Sequence, residues 1–294
     1  MTPSEFEYLK NFLKTKSGLV LSNDKQYLVE SRLLPIARSS KLETLSAVIQ
    51  VLQKGGNRAL ETDVVEAMTT NESFFFRDKT PFDHFTETML PALLDSRATR
   101  KQLKIWCAAA STGQEPYSLG ICIKEAAAKL GGWRTRILGT DLSQEVLEKA
   151  KTGLYSQFEV QRGLPIQLLL KYFDQKGDMW QINAGMRAMI EWKKLNLLEQ
   201  FTHLGEFDIV FCRNVLIYFD QPTKTEILGR MSKALPDDGF LVLGAAETVV
   251  GLTDAFKPVP GKRGLFQKKQ AVQAAARPVS GTPPRLAVGG TLSR

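Results

Sequence analysis

Residues 103–141 carry two short apolar runs, LKIWCAAA at 103–110 and RILGTD at 136–141, on either side of the helical stretch EPYSLGICIKEAAAKL at 115–130. The alternation continues with the apolar runs FDIVFCRNVLIYF at 207–219 and GFLVLGAAE at 239–247, and the helical stretches SQEVLEKAKTG at 143–153 and PTKTEILGRMSKAL at 222–235. Apolar strands that alternate with helices are typical of a mainly parallel sheet covered by helices on both faces. The pattern therefore predicts an α/β fold.

Two pairs of shorter segments extend this prediction. The runs DAFKPVP at 254–260 and GLFQKK at 264–269 predict a hairpin added at the edge of the sheet. Residues 179–182 and 186–192, joined by Asn183-Ala184-Gly185, predict a second small hairpin. This antiparallel insert, at about 178–193, would precede the fourth strand of the sheet.

The amino-terminal part follows a different pattern, with apolar residues at helical spacings from residue 1 to about residue 70. Thr2-Pro3-Ser4-Glu5 is a capping box with proline at the first helical position, so a helix is expected to begin there. From about Gln270 onward Ala, Pro, Gly, Ser and Thr dominate, which is typical of a disordered segment. The predicted organisation is an all-α domain at 1–75, the α/β domain at 76–269 and a disordered basic tail at 270–294.

The charged residues are distributed unevenly along the chain. Its 294 residues include 39 Lys and Arg against 31 Asp and Glu, for a formal net charge of +8. Eight of the basic residues and none of the acidic ones fall at 255–294, so 31 of each sign remain upstream. The body is therefore neutral, and its net charge does not support a nucleic-acid partner for the folded core.

The composition disfavours several classes of protein and site. No apolar run approaches the roughly 18 residues of a membrane span, and the amino terminus lacks a secretory pattern, so we expect a cytoplasmic protein without membrane insertion. Cys107, Cys122 and Cys212 are widely spaced in apolar surroundings, which predicts buried thiols in a reducing compartment. Since His84 and His203 are the only histidines, no metal site is expected.

The residues after each predicted strand are candidates for a ligand site, because ligands of such sheets bind at the carboxyl ends of the strands. After the first strand, AAASTGQEP at 108–116 either lets the backbone approach a ligand or serves tight strand-to-helix packing. Its single glycine, Gly113, argues against the three-glycine pattern of dinucleotide binding. After the second strand, Asp141 either accepts hydrogen bonds from ribose hydroxyls or begins the next helix, which Ser143 could equally cap.

Two further segments combine polar with apolar residues. Arg213-Asn214 interrupts an otherwise apolar run, and buried polar groups there need partners, either a ligand or the neighbouring backbone. The segment TTNESFFFRD at 69–78 lies at the junction of the two predicted domains. Its three aromatic residues form either the wall of a ligand site or a hydrophobic anchor between the domains.

These segments together resemble the CheR family of chemotaxis receptor methyltransferases, from about residue 1 to residue 269. The family pattern is TTNE-(S/T)-x-FFR, W-x-A-A-x-S-x-G-(E/Q)-E-P-Y-S, TD at the second strand, N-L before the fourth, FCRN-x-x-IYF and L-x-x-x-G-F-L-x-L-G-x-x-E. The matching segments are residues 69–77, 106–118, 140–141, 196–197, 211–219 and 235–247. Each segment is weak alone, whereas the six in this order are specific. The chain departs from the pattern at Gln114, where the family often has a second acid, and beyond Gln270, which the pattern does not cover.

The resemblance implies an all-α domain joined to a Rossmann-like class I methyltransferase sheet with a small β-subdomain insert. It implies S-adenosylmethionine as the methyl donor, S-adenosylhomocysteine as its product, and no metal. The implied cofactor contacts are Asn71, Ser73, Arg77, Glu115, Asp141, Asn196, Leu197, Arg213 and Asn214. Arg77 and Tyr218 match positions near the reactive methyl group and are the candidate catalytic residues.

The reaction implied by the resemblance is methylation of glutamate side chains on methyl-accepting chemotaxis receptors, by a monomer recruited from the cytoplasm to receptor clusters. The N-terminal helices and the hairpin at 179–192 are the expected receptor-docking surfaces. A nucleic-acid methyltransferase would share the sheet, but usually has Asn/Asp-Pro-Pro-Tyr/Phe or a cysteine nucleophile where this chain has Arg213-Asn214-Val215. A module that binds S-adenosylmethionine without turnover also stays open, and a dinucleotide dehydrogenase is the weakest alternative.

Overall fold

The computed structural model describes residues 1–269 of the chain. The strands are β1 Gln102–Ala108, β2 Arg134–Asp141, β3 Leu154–Ser156, β4 Phe173–Lys176, β5 Met179–Ile182, β6 Ile190–Lys194, β7 Ile209–Cys212, β8 Phe240–Leu243, β9 Phe256–Pro258 and β10 Leu265–Lys268. The α-helices are α1 Pro3–Ser17, α2 Gln26–Ser39, α3 Leu45–Lys54, α4 Arg58–Met68, α5 Thr80–His84, α6 Leu90–Ser96, α7 Gln114–Glu125, α8 Gln144–Thr152, α9 Gln157–Gln161, α10 Ile166–Tyr172, α11 Ala184–Arg187 and α12 Gln221–Lys233. Helices α1 to α4 thus precede every strand, and α7, α8 and α12 each follow a strand of the main sheet.

The main sheet has seven strands in the order β6-β2-β1-β7-β8-β10-β9. Its first five strands in that order pair in parallel, and β10 pairs antiparallel with both β8 and β9. Alternate residues of β1 enter opposite cores: Ile105 and Cys107 belong to one, and Trp106 and Ala108 to the other. A sheet with an apolar core on each face explains why its strands are continuous apolar runs. The predicted α/β fold and the edge hairpin are both confirmed.

The hairpin predicted at 178–193 is wrong in its second half. Strand β5 pairs with β4 and β3 in a separate three-stranded antiparallel sheet, and β4 and β5 are joined by Gly177-Asp178. Strand β6 instead pairs in parallel with β2 in the main sheet. The misleading signal was Asn183, whose side chain accepts a hydrogen bond from the Met186 N–H and caps α11. Asparagine favours hairpin turns and helix N-caps alike, so local sequence did not separate the two.

Helices α1 to α4 share a core of their own, separate from the two cores of the sheet. The Thr2 hydroxyl accepts from the Glu5 N–H and the Glu5 carboxylate accepts from the Thr2 N–H, which confirms the predicted capping box. These helices are called the helical unit below. Its core is built from apolar side chains at helical spacing, such as Leu9 and Leu13 of α1 and Val29 and Leu33 of α2.

Three sets of hydrogen bonds attach the helical unit to the carboxyl ends of the main strands. Glu66 of α4 accepts from the Ser143 hydroxyl at 2.8 Å and the Gln144 N–H at 3.1 Å, at the start of α8. The Asn196 side-chain amide donates to the Lys16 carbonyl at 2.7 Å. The Val20 N–H donates to the Tyr218 carbonyl at 2.9 Å. The segment after α1 and the end of α4 therefore lie against the strand ends.

All three cysteines are buried and unpaired, as predicted. None of the helices within residues 1–269 is both long and apolar enough to cross a membrane. The tail at 270–294, predicted to be disordered, lies outside the described residues.

The segment 74–76 packs against the small sheet through Phe75, which is fully buried beside the rings of Tyr155 and Phe173. Its backbone is also close to Gly163, in the α9–α10 connection. Gly163 has φ +87°, and a Cβ there would lie 2.1 Å from the Phe75 carbonyl oxygen. Gly177, in the β4–β5 turn, has φ +60° but nothing within 4 Å of a Cβ. Both glycines therefore have a left-handed backbone, but only Gly163 lacks room for a Cβ.

We expect Gly163→Ala to lower the free energy of unfolding by about 1–3 kcal/mol more than Gly177→Ala does, because only the first adds overpacking to backbone strain. Urea denaturation of the two variants beside the parent protein measures the difference. Equal losses in the two variants would mean that the Phe75 backbone shifts at no cost and that this contact is unimportant for stability.

Candidate active site

A cavity lies at the carboxyl ends of β1, β2 and β7. Its volume is about 970 Å³ when the space open to solvent at its mouth is included. The cavity is lined by all the site residues that the family resemblance implied, namely Asn71, Ser73, Arg77, Glu115, Asp141, Asn196, Leu197, Arg213, Asn214 and Tyr218. The fold thus brings these residues together, while their individual roles stay predictions.

Asp141 is a buried carboxylate at the end of β2. Its two oxygens accept hydrogen bonds from the backbone N–H groups of Ser143, at 3.0 Å, and Ser111, at 2.9 Å. Burial raises the pKa of Asp141 above its ordinary value, and the backbone hydrogen bonds oppose that rise. A carboxylate has about four lone-pair sites, so acceptor capacity remains for the hydroxyl groups of a bound sugar.

The turn after β1 connects this carboxylate to the segment 69–73. Ala109 and Ser111 have left-handed backbone, with φ of +60° and +51°, and the Ser111 hydroxyl donates to the Asn71 carbonyl at 2.7 Å. The small side chains of this turn allow the close approach. The sequence had left two functions open for the turn, ligand approach and tight packing. Ala109 and Ser111 both line the cavity, so the turn borders the site and also packs against the segment 69–73.

Arg213, after β7, is almost completely buried within a cluster of charged and polar groups. Its guanidinium donates to Glu115 Oε2, Asp78 Oδ2 and the Arg77 carbonyl oxygen, each at 2.8 Å. The partners that this buried polar residue needs therefore include acidic side chains as well as backbone. Burial raises the pKa of Glu115, and the positive charge of Arg213 opposes that rise. Arg213 and Glu115 line the cavity, and the ion pairs of Arg213 join the end of β7 to the start of α7 and to the 69–78 segment.

The candidate catalytic residues, Arg77 and Tyr218, are both half-buried in the cavity wall. Arg77 Nη1 donates to the Glu72 carbonyl at 2.8 Å, and its guanidinium carbon lies 5.6 Å from the centre of the Phe74 ring. On the same ring, the Arg162 guanidinium carbon lies 4.3 Å from the centre. The Phe74 ring therefore packs against the guanidinium groups of Arg77 and Arg162, and Phe75 anchors the segment. None of the three aromatic residues is among those that line the cavity, so the aromatic run is an anchor in the core beside the small sheet, and polar residues on either side of it line the site.

The remaining predicted contacts are partly engaged by the protein itself. The Asn196 side chain donates to the Lys16 carbonyl and accepts from the Leu198 N–H at 3.0 Å, so its amide holds the helical unit in place. The Leu197 carbonyl accepts from Arg230 Nη2 at 2.8 Å, while Leu197 lines the cavity. Asn214 has φ +58°, a conformation that asparagine tolerates better than most residues.

The sequence missed the contribution of the helical unit to the wall. Ser17 and Leu19, at the end of α1, line the cavity together with Phe219. Gly18, between them, packs so closely that a Cβ would lie 2.7 Å from the Phe219 ring. No local pattern at 17–19 indicates a ligand site, because these residues reach the cavity only when the unit docks on the sheet. Gly18 was the one available signal, and it is equally explained as the cap of α1.

The cavity suits a nucleoside. Asp141 offers acceptors for ribose hydroxyls, and Leu142, Leu195 and Leu197 provide apolar wall for a flat base. The two guanidinium groups, of Arg77 and Arg213, provide positive charge, but Arg213 is neutralised by its acidic partners. Arg77 is thus the cationic side chain of the wall with no carboxylate paired to it within residues 1–269. These features fit a site for a nucleoside.

Comparison with known proteins gives the same family for both parts of the chain. Residues 71–265 match the CheR methyltransferase SAM-binding domain, and residues 4–69 match the CheR methyltransferase all-alpha domain. A chemotaxis protein methyltransferase of Vibrio anguillarum is 38% identical over 271 residues, which are 91% of this chain and 98% of that protein. Chemotaxis protein methyltransferase 1 of Pseudomonas aeruginosa is 40% identical over 271 residues, 90% of this chain and 97% of that protein. The chain therefore belongs to the CheR family of S-adenosylmethionine-dependent chemotaxis methyltransferases.

Proposed function

We propose that the chain transfers the methyl group of S-adenosylmethionine to glutamate side chains of methyl-accepting chemotaxis receptors. The products would be glutamyl methyl esters and S-adenosylhomocysteine. The observation that carries this proposal is the position of Arg77, a half-buried cation that pairs with no carboxylate of residues 1–269, on the wall of the cavity that Asp141 borders. A cation in that place can hold an anionic acceptor next to a bound nucleoside.

The chemistry of this reaction asks for few reactive groups. A glutamate carboxylate has a pKa near 4.3 in water, so it is already an anion at neutral pH. When bound, S-adenosylmethionine supplies an electrophilic methyl group on a positively charged sulfur. No proton has to move, and among residues 1–269 the side chains that line the cavity include no histidine, cysteine or lysine. Such a methyl transfer therefore does not depend on an acid–base pair in the lining.

The work left to the protein is alignment and removal of water. Positioning of two reactants can contribute on the order of 7–11 kcal/mol in favourable cases. In this proposal Asp141 holds the sugar, Arg77 orients the incoming carboxylate and Tyr218 shapes the pocket around the methyl group. Because charge is cancelled as the bond forms, too strong an ion pair with Arg77 would stabilise the ground state. The backbone contact of Arg77 with Glu72 and its place on Phe74 limit how closely it can pair.

The receptor is proposed to dock on the helical unit and on the small sheet of β3, β4 and β5. Both flank the cavity, since the end of α1 lines it and the small sheet packs on the 74–76 segment. In this proposal the chain acts as a monomer, without metal or nucleic acid, and is recruited from the cytoplasm to receptor clusters.

The test is incubation of the purified full chain with tritiated S-adenosylmethionine and receptor-bearing membranes, followed by alkali. We expect label on the receptors that alkali releases as methanol, because glutamyl esters hydrolyse readily and N-methyl groups do not. Membranes from cells without receptors serve as the control. Label that survives alkali, or label independent of receptors, would contradict the proposed acceptor, and an absence of label despite cofactor binding would favour a binding module.

A further inference from the structure

Glu247, in the turn after β8, is hydrogen-bonded to the loop 213–218, which carries Arg213, Asn214, Val215 and Tyr218 of the cavity lining. Its Oε2 accepts from the backbone N–H groups of Asn214, at 2.8 Å, and Gly244, at 2.7 Å. Its Oε1 accepts from the N–H groups of Val215 at 3.0 Å, Leu216 at 2.8 Å and Ile217 at 3.3 Å. One carboxylate thus receives hydrogen bonds from four consecutive residues after β7 and from the end of β8.

This arrangement is an internal version of an anion-binding nest. Successive backbone N–H groups next to a left-handed residue form a concave site for negative charge, and here Asn214 supplies the left-handed residue with φ +58°. The same N–H groups stand at the start of the short 3-10 helix Leu216–Tyr218. Without an acceptor, these donors would be left unpaired at the edge of the cavity, and the loop would have no reason to keep its strained conformation.

We propose that Glu247 is a positioning residue for methyl transfer, because it fixes the loop that places Asn214 and Tyr218 in the cavity wall. Glu247 does not itself line the cavity, so it acts through these two residues. The turnover part of the inference rests on the proposed function. Its binding part does not, because the affinity for S-adenosylhomocysteine is independent of the acceptor.

Two substitutions disturb the contact in different ways. In Glu247→Gln either orientation of the amide brings an NH₂ group against at least two backbone donors. In Gly244→Ala the charge is kept, but the new Cβ would lie 2.7 Å from Glu247 Oε2 and 2.8 Å from Asn214 Nδ2. Asp208→Asn is the control for loss of a buried carboxylate away from the cavity: Asp208, at the amino end of β7, accepts from the Lys104 N–H at 2.8 Å and also pairs with Arg97 and Arg100.

The experiment measures kcat and KM for S-adenosylmethionine with receptor-bearing membranes, the Kd for S-adenosylhomocysteine by calorimetry, and thermal unfolding of each full-length variant. We expect both loop variants to lose about 100-fold in kcat, the effect of a misplacement of about 1 Å. Their Kd should rise about tenfold, the loss of about one hydrogen bond from Asn214. Asp208→Asn should unfold at a lower temperature while keeping kcat and Kd within about threefold of the parent values once folded.

The outcomes separate this inference from the proposed function. If the parent protein labels receptors but the folded loop variants match Asp208→Asn in kcat and Kd, Glu247 has only a structural role and the inference is overturned. If the parent protein labels no receptor, the proposed acceptor fails, and the Kd comparison alone decides about Glu247. If Glu247→Gln does not fold, the milder Gly244→Ala variant decides in the same way.

Discussion

Arg77→Ala is expected to lower kcat about 100- to 1000-fold, the usual cost of removing one group that stabilises or orients charge at a reacting centre. The Kd for S-adenosylhomocysteine should change by less than about tenfold, since at most one hydrogen bond to the nucleoside is lost. The reason for the difference is that Arg77 is proposed to act mainly on the incoming carboxylate. Single-turnover kinetics with receptor-bearing membranes and calorimetry with S-adenosylhomocysteine measure the two effects separately.

Arg162 provides a matched control for Arg77. Both guanidinium groups contact the Phe74 ring, and both donate to Glu72. Arg77 donates to the backbone carbonyl of Glu72 at 2.8 Å, and Arg162 donates to the Glu72 carboxylate at 2.5 Å. Only Arg77 lines the cavity. We therefore expect Arg162→Ala to keep nearly all turnover and Arg77→Lys, which keeps the charge but loses the planar fork, to fall between. Unchanged turnover in Arg77→Ala would remove this residue from the mechanism.

Arg213→Met is expected to lower the free energy of unfolding by about 3–5 kcal/mol, because it leaves the buried Glu115 without its partner. Cofactor binding should be lost as well, since both residues line the cavity. Burial already raises the pKa of Glu115, and loss of Arg213 should raise it further. A group whose pKa is raised in the folded state stabilises the fold most when it is protonated. The stability that Arg213→Met loses relative to the parent protein should therefore shrink in acid and grow as the pH rises through the pKa of Glu115. Urea denaturation across this pH range measures it.

A double-mutant cycle identifies the cause of this loss. The Arg213→Met/Glu115→Gln variant should be more stable than the sum of the single variants predicts, because no unpaired charge remains. The control is Arg136→Met, since Arg136 of β2 forms a solvent-exposed ion pair with Glu191 of β6 at 2.6 Å in the same sheet. That variant should lose only about 0–1 kcal/mol. Additive losses in the cycle would show that Arg213 stabilises the fold by packing rather than by pairing with Glu115.

Much of the fold followed from local patterns because each such pattern has a single physical cause. Continuous apolar runs at 103–110, 136–141 and 207–212 predicted strands buried on both faces, and the main sheet contains them as β1, β2 and β7. Since parallel strands end at the same edge of a sheet, residues that follow different strands were expected to meet. Asp141 and Arg213 do border one cavity.

The failed prediction concerns the segment 178–193, where local signals were ambiguous. Gly177-Asp178 and Asn183 are both turn residues, and only one of the two positions joins paired strands. Strand β6 does not pair with a strand that is close to it in sequence, because its partner β2 already ends at Asp141. In the folded chain β6 lies beside β2 and contacts α7 and α8, so tertiary packing rather than a local turn gives this strand its place.

Local patterns were enough to predict the α/β architecture, the helical start of the chain, the strand ends that border the cavity and, through six motifs in order, the family. Three features appear only in the folded chain: Ser17 and Leu19 line the cavity, Glu115 and Asp78 neutralise Arg213, and Glu247 holds the loop before Tyr218. The two kinds of feature depend on interactions of different range along the chain. Periodicity and capping act within a few residues, whereas these contacts join segments far apart in the chain, and they form only after the apolar cores have brought those segments together.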